Sequence, residues 1–270
     1  MCVFALRSTL VGILIALAQH LEAQIVPDSL PAASAYRQTL SELVVTAQRS
    51  ATPRFRTPQA IEVLHEKPMR VRQPRTASEA LALVPGVFVQ KTNHGGGSPF
   101  LRGLTGNQTL LLVDGIRLSN ATFRYGPNQY FNTIDLFAIE KIEVLRGSGS
   151  VQYGSDALGG TIQAFSRELG FSEKNDWSGA LLLRGATQNM EQSLRAEVQH
   201  TARHIAFTGG LSGRNFGDLI GGDTTGRQVP GGYRELDFDL KGKIKLSGAA
   251  VLTLAPVSYT HLTLPTNREV

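Results

Sequence analysis

Three stretches in the second half of the chain alternate between apolar and polar residues with a period of two. The clearest, from 236 to 246, has Leu, Phe, Ile or Gly at every even position and Asp or Lys at every odd one. Residues 194–203 and 205–211 follow the pattern less strictly. Because successive side chains of a strand point to opposite faces, each stretch predicts a strand with one apolar and one wet face. A transmembrane β-barrel and a soluble antiparallel sheet with one solvated face fit this pattern equally well.

The first half of the chain predicts a mixed α/β domain. Short apolar runs predict strands at 61–64, 87–89, 110–113, 116–118 and 139–145, and Asp114-Gly115 suits a tight hairpin turn. A helix is predicted over 76–84, with Thr76 as N-cap and Glu79 at the capping-box spacing. Further along, the short turn at 202–204 and the long Gly- and Asp-rich loop at 214–234 form an asymmetry typical of outer-membrane barrels.

The first 23 residues have the layout of a secretory signal peptide. Arg7 precedes an apolar run at 10–18, and small residues follow, with cleavage expected after Ala18 or Ala23. The run is too short to span a bilayer as a helix, and no later stretch is longer, so any later membrane span must consist of β-strands. The single cysteine, Cys2, lies within this segment, and we therefore expect neither a disulfide nor a cysteine metal site.

Composition narrows the possible functions. The chain is 41% hydrophobic and 18% charged, which favours a folded protein. Its formal net charge of +5 comes from scattered basic residues rather than a stripe, which disfavours a nucleic-acid partner. No nucleophile elbow, metal-ligand spacing or phosphate-binding loop is recognisable, so we predict no enzyme, no cofactor and no metal site.

A short apolar segment interrupts the polar, proline-containing stretch that follows the signal peptide. It consists of Glu42, Leu43, Val44, Val45, Thr46 and Ala47. Such an isolated extended segment is suited to adding as a strand to the exposed sheet edge of a partner. It could equally be the first strand of the domain that follows.

With these segments in view, the chain resembles the TonB-dependent receptor family. The segment 42–47 looks like the TonB box of that family. Residues 101–104, 112–116 and 139–147 resemble successive plug motifs, and residues 151–160 resemble the motif that closes the plug. The resemblance covers most of 42–166, and its strength lies in four motifs that occur in order behind a signal peptide.

The resemblance implies an α+β plug domain followed by the start of an antiparallel transmembrane β-barrel. Family barrels have about 22 strands, whereas the residues after the plug suffice for about four or five, so the barrel is incomplete. The expected divisions are a signal peptide at 1–23, a linker with the TonB box at 24–54, the plug at 55–167, the first barrel strands at 168–256 and a tail at 257–270. The tail resembles a translated sequencing adapter and is expected to be an artefact or, alternatively, a genuine loop.

The resemblance also assigns roles to residues. Residues 42–47 would contact TonB. Arg102, Glu140, Glu143 and Arg146 would be costly to enclose without partners, so we expect a polar network between the plug and the barrel wall. The complete set of expected structural residues of the plug is Arg102, Gly103, Asp114, Gly115, Glu140, Glu143, Arg146, Gly147, Tyr153, Gly154, Gly159 and Gly160.

The implied function is import through the outer membrane without chemistry. TonB and its inner-membrane energising complex would drive uptake of an iron-containing substrate. The loops at 91–99 and 119–130 would face that substrate, with His94, Arg124, Tyr125 and Tyr130 as candidate contacts. Residues 95–103 and 120–124 look most like receptors for haem and haemoproteins, with siderophore and cobalamin receptors as alternatives. His94 could ligate haem iron or simply be solvated.

Outside this family, the strongest alternative is a soluble exported binding module with a β-sandwich tail. It differs from the receptor in one physical respect. A sandwich buries the apolar faces of its strands against each other, whereas a membrane barrel turns them outward to lipid.

Overall fold

The computed structural model describes residues 42–91, 96–118, 126–229, 231–247 and 250–262. The predicted signal peptide, most of the predicted linker, and His94, Arg124 and Tyr125 lie outside these residues, and their assignments stay predictions.

The first half of the described chain folds into a plug built on a five-stranded sheet. Its elements in chain order are β1 (Leu43–Val44), β2 (Thr52–Pro53), β3 (Ala60–His65), α1 (Glu66–Arg72), α2 (Ala77–Leu81), β4 (Val87–Lys91), β5 (Gly97–Leu101), β6 (Thr109–Val113), β7 (Ile116–Arg117), β8 (Ile139–Arg146), α3 (Ser150–Tyr153) and β9 (Gly160–Ser166). The sheet order is β3-β8-β9-β6-β7, and only β6 and β9 run parallel. All five predicted strands are confirmed, although residues 97–99, predicted as loop, belong to β5.

The main core of the plug lies between one face of this sheet and the short helices. Leu81 of α2, Ile142 of β8 and Ile162 of β9 are fully buried there, together with Phe131. The predicted N-cap is confirmed, because the Thr76 hydroxyl accepts a hydrogen bond from the Glu79 amide at 3.1 Å. The helix ends at Leu81, three residues earlier than predicted.

The second half forms a sheet of long antiparallel strands, which we call the wall. It contains β10 (Asp176–Ala186), β11 (Glu191–Thr201), β12 (Ile205–Phe216), β15 (Tyr233–Lys245), β16 (Val251–Leu254) and β17 (Val257–Leu262), with a small hairpin of β13 (Leu219–Ile220) and β14 (Arg227–Gln228) between β12 and β15. The order is β10-β11-β12-β15-β16, and β17 continues beside β15 where β16 stops. The wall therefore has five strand positions, as predicted, and does not close into a barrel.

Two boundaries differ from the prediction. Arg214, placed at the start of the long loop, instead belongs to β12, so that the connection runs only from 217 to 232. Residues 257–262 of the expected artefactual tail pair with β15 as a regular strand. Residues 263–270 lie outside the described part of the chain.

The polarity of the wall is the reverse of a soluble sheet. On the face towards the plug, Arg195, Ser212 and Asp237 are at most 5% exposed. On the opposite face, Leu211 and Leu236 are 53% and 51% exposed. A sandwich would bury these leucines and solvate the charges, so the soluble alternative is wrong. Apolar side chains on the outside and charged ones on the inside are the pattern of a membrane barrel wall.

Helices offer no membrane span in the described residues. None of them is both long enough and apolar enough to cross a bilayer.

Candidate functional site

The segment 42–47, which we call the coupling segment, lies against the plug. Its strand β1 pairs antiparallel with β2. Val44 and Ala47 are completely buried and pack with Ile61 of β3 and Leu145 of β8, on the sheet face opposite the main core. The segment is thus folded onto the plug here, although its partner strand β2 lies outside the five-stranded plug sheet. Its contact with TonB stays a prediction.

One carboxylate oxygen holds the middle of the coupling segment. Oε2 of Glu143 accepts hydrogen bonds from the Val45 amide at 2.9 Å, from the Thr46 amide at 2.8 Å and from the Thr46 hydroxyl at 2.7 Å. The other oxygen, Oε1, pairs with the Lys141 ammonium at 2.7 Å. Glu143 is fully buried, yet both of its oxygens have partners.

This environment lowers the pKa of Glu143 below its ordinary value of 4.5. Burial alone would raise the pKa, because it disfavours the charged form. Lys141 and the donors from the coupling segment stabilise the carboxylate and outweigh burial. Glu143 is therefore ionised when the segment is docked, and docking is linked to its ionisation.

Further contacts fix both ends of the coupling segment. The Tyr153 hydroxyl donates to the Thr46 carbonyl at 2.9 Å. The Glu42 carboxylate pairs with Arg54 at 3.1 Å and also contacts His65. Of the six residues of the segment, Leu43 is the one whose side chain is exposed.

The predicted hairpin turn has the expected geometry and an additional contact. Asp114 and Gly115 both have positive φ angles, 47° and 83°, as a two-residue type I′ turn requires. The Asp114 carboxylate accepts a hydrogen bond from the Ser166 amide at 2.9 Å. It also lies 3.6 Å from the Lys241 ammonium of the wall. Asp114 is thus a predicted structural residue of the plug that also contacts the wall.

The predicted polar network between plug and wall is wrong for the wall strands present in this chain. Its four expected members are Arg102, Glu140, Glu143 and Arg146. Glu143 holds the coupling segment, and Glu140 accepts from the Glu168 amide at 2.8 Å. Arg146 donates to the Pro85 carbonyl at 2.9 Å. Arg102 is exposed on the plug, with its guanidinium above Gly147. Glu140, Glu143 and Arg146 thus find partners within the plug, the coupling segment or the segment that follows the plug.

The predicted glycines serve the plug backbone. A Cβ at Gly160 would overlap the Leu145 carbonyl oxygen, and one at Gly159 would lie 2.7 Å from Leu104. Gly103, Gly147 and Gly154 have positive φ angles of 80°, 121° and 78°. Tight approach explains the first two glycines, and backbone conformation explains the other three.

Of the four candidates for substrate contact, the structure describes Tyr130. It begins a single helical turn, and its amide donates a hydrogen bond to the side-chain oxygen of Asn128 at 3.0 Å. Its role towards a substrate stays a prediction.

The principal contact between plug and wall involves a residue that the sequence pattern did not single out, Asp135. One carboxylate oxygen of Asp135 accepts hydrogen bonds from Arg195 of β11 at 2.9 Å and from Ser212 of β12 at 2.5 Å. The other oxygen caps the following turn through the Phe137 amide at 3.0 Å. Asp135 and Ser212 are both fully buried. The guanidinium of Arg214 lies over the ring of Phe137, with its Cζ atom 5.5 Å from the ring centre.

Comparison with known proteins agrees with this architecture. Residues 53–161 match the model of the TonB-dependent Receptor Plug Domain. An iron-regulated outer membrane virulence protein of Vibrio cholerae is 35% identical over 67% of this chain and 28% of its own length. The vitamin B12 transporter BtuB of Vibrio vulnificus is 34% identical over 50% of this chain and 22% of its own length.

Solved structures support the same fold. Pseudomonas aeruginosa FpvA in complex with a pyoverdine and iron superposes with a TM-score of 0.64 at 17% identity, over 79% of this chain and 26% of the FpvA chain. The fold is therefore that of a plug followed by the first strands of a receptor barrel.

The chain accordingly carries the plug domain of an outer-membrane receptor. Residues 53–161 are a plug domain of the TonB-dependent receptor type, which is a receptor domain rather than an enzyme, and the place of the chain is the Gram-negative outer membrane. It spans about a quarter of the length of the curated relatives described above.

Proposed function

We propose that the full-length protein imports an iron-containing substrate, a ferric siderophore or haem, with energy delivered by TonB. The observation that carries this proposal is the plug docked against a wall whose charged face is enclosed and whose apolar face is exposed. A sheet of this polarity requires lipid on one side and a polar filling on the other. The plug is such a filling, and it would have to shift before a substrate could pass.

The coupling segment supports the involvement of TonB. It carries short apolar and β-branched residues of the kind that pair as an added strand. Only two of its residues are in a strand ladder here, Leu43 and Val44, and their partner strand β2 is just as short. A TonB strand would therefore displace few backbone hydrogen bonds, and the main opposing contact would be the one with Glu143.

The relatives support an iron substrate without selecting one compound. One is named as iron-regulated, and a structural neighbour is described with pyoverdine and iron. Others are named as vitamin B12 transporters. Haem rests on the resemblance of residues 95–103 and 120–124 alone, and cobalamin is the main competitor.

Growth complementation tests the proposal. The full-length gene is expressed in a host that lacks its own iron and cobalamin receptors, with and without TonB. We expect TonB-dependent growth on a ferric siderophore or on haem as the iron source. Growth that is supported by vitamin B12 alone would identify cobalamin as the substrate and leave the transport function unchanged. Uptake that does not require TonB would refute the transport mechanism. A Soret shift on titration with haem would distinguish haem from siderophores.

A further inference from the structure

Three arginines of the wall share an unusual arrangement: each binds a wall carboxylate and a plug acceptor at the same time. They lie on consecutive strands and are Arg184 of β10, Arg195 of β11 and Arg214 of β12. All three point their guanidinium groups at the plug, and Arg195 and Arg214 are at most 4% exposed.

The two outer arginines bind backbone carbonyls of the plug. Arg184 pairs with Glu191 at 2.8 Å and donates to the Pro74 carbonyl at 2.9 Å. Arg214 pairs with Glu235 at 2.7 Å and donates to the Arg75 carbonyl at 2.9 Å. In both cases a wall carboxylate is the nearest counter-charge, and a plug carbonyl accepts a further N–H. Asp135 of the plug also lies 4.0 Å from Arg214.

The middle arginine, Arg195, binds a plug carboxylate instead. It contacts Asp135 of the plug at 2.9 Å. From the wall, Asp239 contacts it at 2.7 Å and Glu197 at 3.2 Å. A guanidinium has five N–H donors, so these contacts coexist. Asp135 is thus the one charged plug partner of the three arginines among the described residues.

Because each arginine keeps a wall carboxylate, the plug can leave without stranding a buried cation. A buried arginine with no counter-charge would be strongly destabilising. We propose that the Asp135–Arg195 pair is a reversible fastener between plug and wall, and that Asp239 is the replacement partner that allows it to open. This inference rests on the proposed function, since opening matters only if the plug shifts during import.

The strand beside Arg195 provides the space for this fastener. A Cβ at Gly210 of β12 would collide with Nη2 of Arg195. A larger residue at 210 would therefore displace the guanidinium from its present position beside Asp135 while leaving every charge in place. By contrast, a Cβ at Gly213 of the same strand would meet nothing within 4 Å. These two glycines provide a matched pair for the test.

The test uses the full-length receptor in cells, with two readouts: TonB-independent entry of vancomycin, which reports a loosened plug, and uptake rate per receptor at saturating substrate. We expect Asp135→Asn to raise vancomycin entry roughly 10-fold or more, the equivalent of one lost charge-assisted hydrogen bond. Asp239→Asn should do the opposite: entry stays low and saturated uptake falls several-fold. Arg195 then keeps Glu197 at 3.2 Å as a wall partner, and Glu197 is shared with Arg167, so Asp135 carries more of the charge balance. Substrate Kd should change less than twofold in both variants.

A purely structural role would move both variants in the same direction, and that result would overturn the inference. If Asp135→Asn lowers the amount of receptor in the membrane, Gly210→Ala carries the test: it should raise vancomycin entry, while Gly213→Ala should not. Equal entry in the two glycine variants would also overturn the inference. Vancomycin entry does not depend on the substrate, so failure of the fastener is distinguishable from failure of the proposed import function.

Discussion

Replacing Glu143 by glutamine tests whether one carboxylate keeps the coupling segment on the plug. A glutamine side chain retains the shape and can still accept hydrogen bonds, but it lacks the charge. Three bonds from Val45 and Thr46 end on one oxygen of Glu143, at 2.7–2.9 Å. A hydrogen bond to a charged group contributes about 1.5–3 kcal/mol and a neutral one about 0.5–1.5 kcal/mol. The loss is about 1–1.5 kcal/mol per bond, hence about 3–4.5 kcal/mol over three bonds, or a roughly 140- to 1,600-fold weaker docking equilibrium.

Binding of a soluble TonB fragment to the full-length receptor measures this equilibrium. If docking competes with TonB, the apparent affinity of the receptor for the TonB fragment is proportional to the fraction of receptors whose coupling segment is undocked. Glu143→Gln should therefore raise this affinity by up to the factor by which it weakens docking. Thr46 contributes two of the three donors, but Thr46→Val removes only the hydroxyl. The loss of this one bond to a charged group should weaken docking by about 1.5–3 kcal/mol.

Glu140→Gln is the matched control, since Glu140 lies on the same strand and accepts from the Glu168 amide instead of the coupling segment. Its affinity for the TonB fragment should equal that of the unmodified receptor. The reasoning is refuted if Glu143→Gln also binds TonB with unchanged affinity while thermal unfolding shows an intact plug.

Three further predictions concern pH, lipid and backbone. The hydrogen bonds from Thr46 and Val45 lower the pKa of Glu143, so their contribution is complete above the undocked pKa and is lost as the pH falls through the lower docked pKa. Affinity for the TonB fragment should therefore rise on acidification, and Glu143→Gln should abolish that rise. Phe238→Arg on the lipid-facing side should cost roughly 2–4 kcal/mol and reduce folded receptor in heat-modifiability gels, whereas Phe55→Arg on the exposed plug surface should not. Gly160→Ala should lower plug stability by about 1–3 kcal/mol in calorimetry, and Gly170→Ala, in open space, should leave it unchanged.

Sequence periodicity predicted the strands of the wall well but could not orient them. Alternation assigns Leu236 and Phe238 to one face and Asp237 and Asp239 to the other, and it does so identically in a soluble sheet and in a barrel. The orientation is decided by what covers each face. Only the fold reveals that the plug covers the side of Asp237, which leaves Phe238 outside.

Glu143 illustrates a second limit. Its apolar surroundings in the strand sequence correctly indicated that it would need a partner. The predicted partner, the wall, was nevertheless wrong. The actual partners, Val45 and Thr46, are almost 100 residues away in the chain and contact Glu143 mainly through backbone amides. Every residue except proline carries such an amide. A backbone donor therefore leaves no trace in the pattern of side chains from which partners are inferred.

Asp135 shows why the contact between plug and wall was missed altogether. Locally it is an ordinary turn residue, since one of its oxygens caps the turn at Leu136–Ala138 through the Phe137 amide. That local explanation is correct, and from the sequence it is sufficient, because an aspartate before such a turn needs no other purpose. A carboxylate, however, has a second oxygen. In Asp135 this oxygen accepts from Arg195 and Ser212, which are 60 and 77 residues further along the chain. Capping fixes the side chain in position, and the fixed side chain can then present its remaining oxygen to the wall at a defined place.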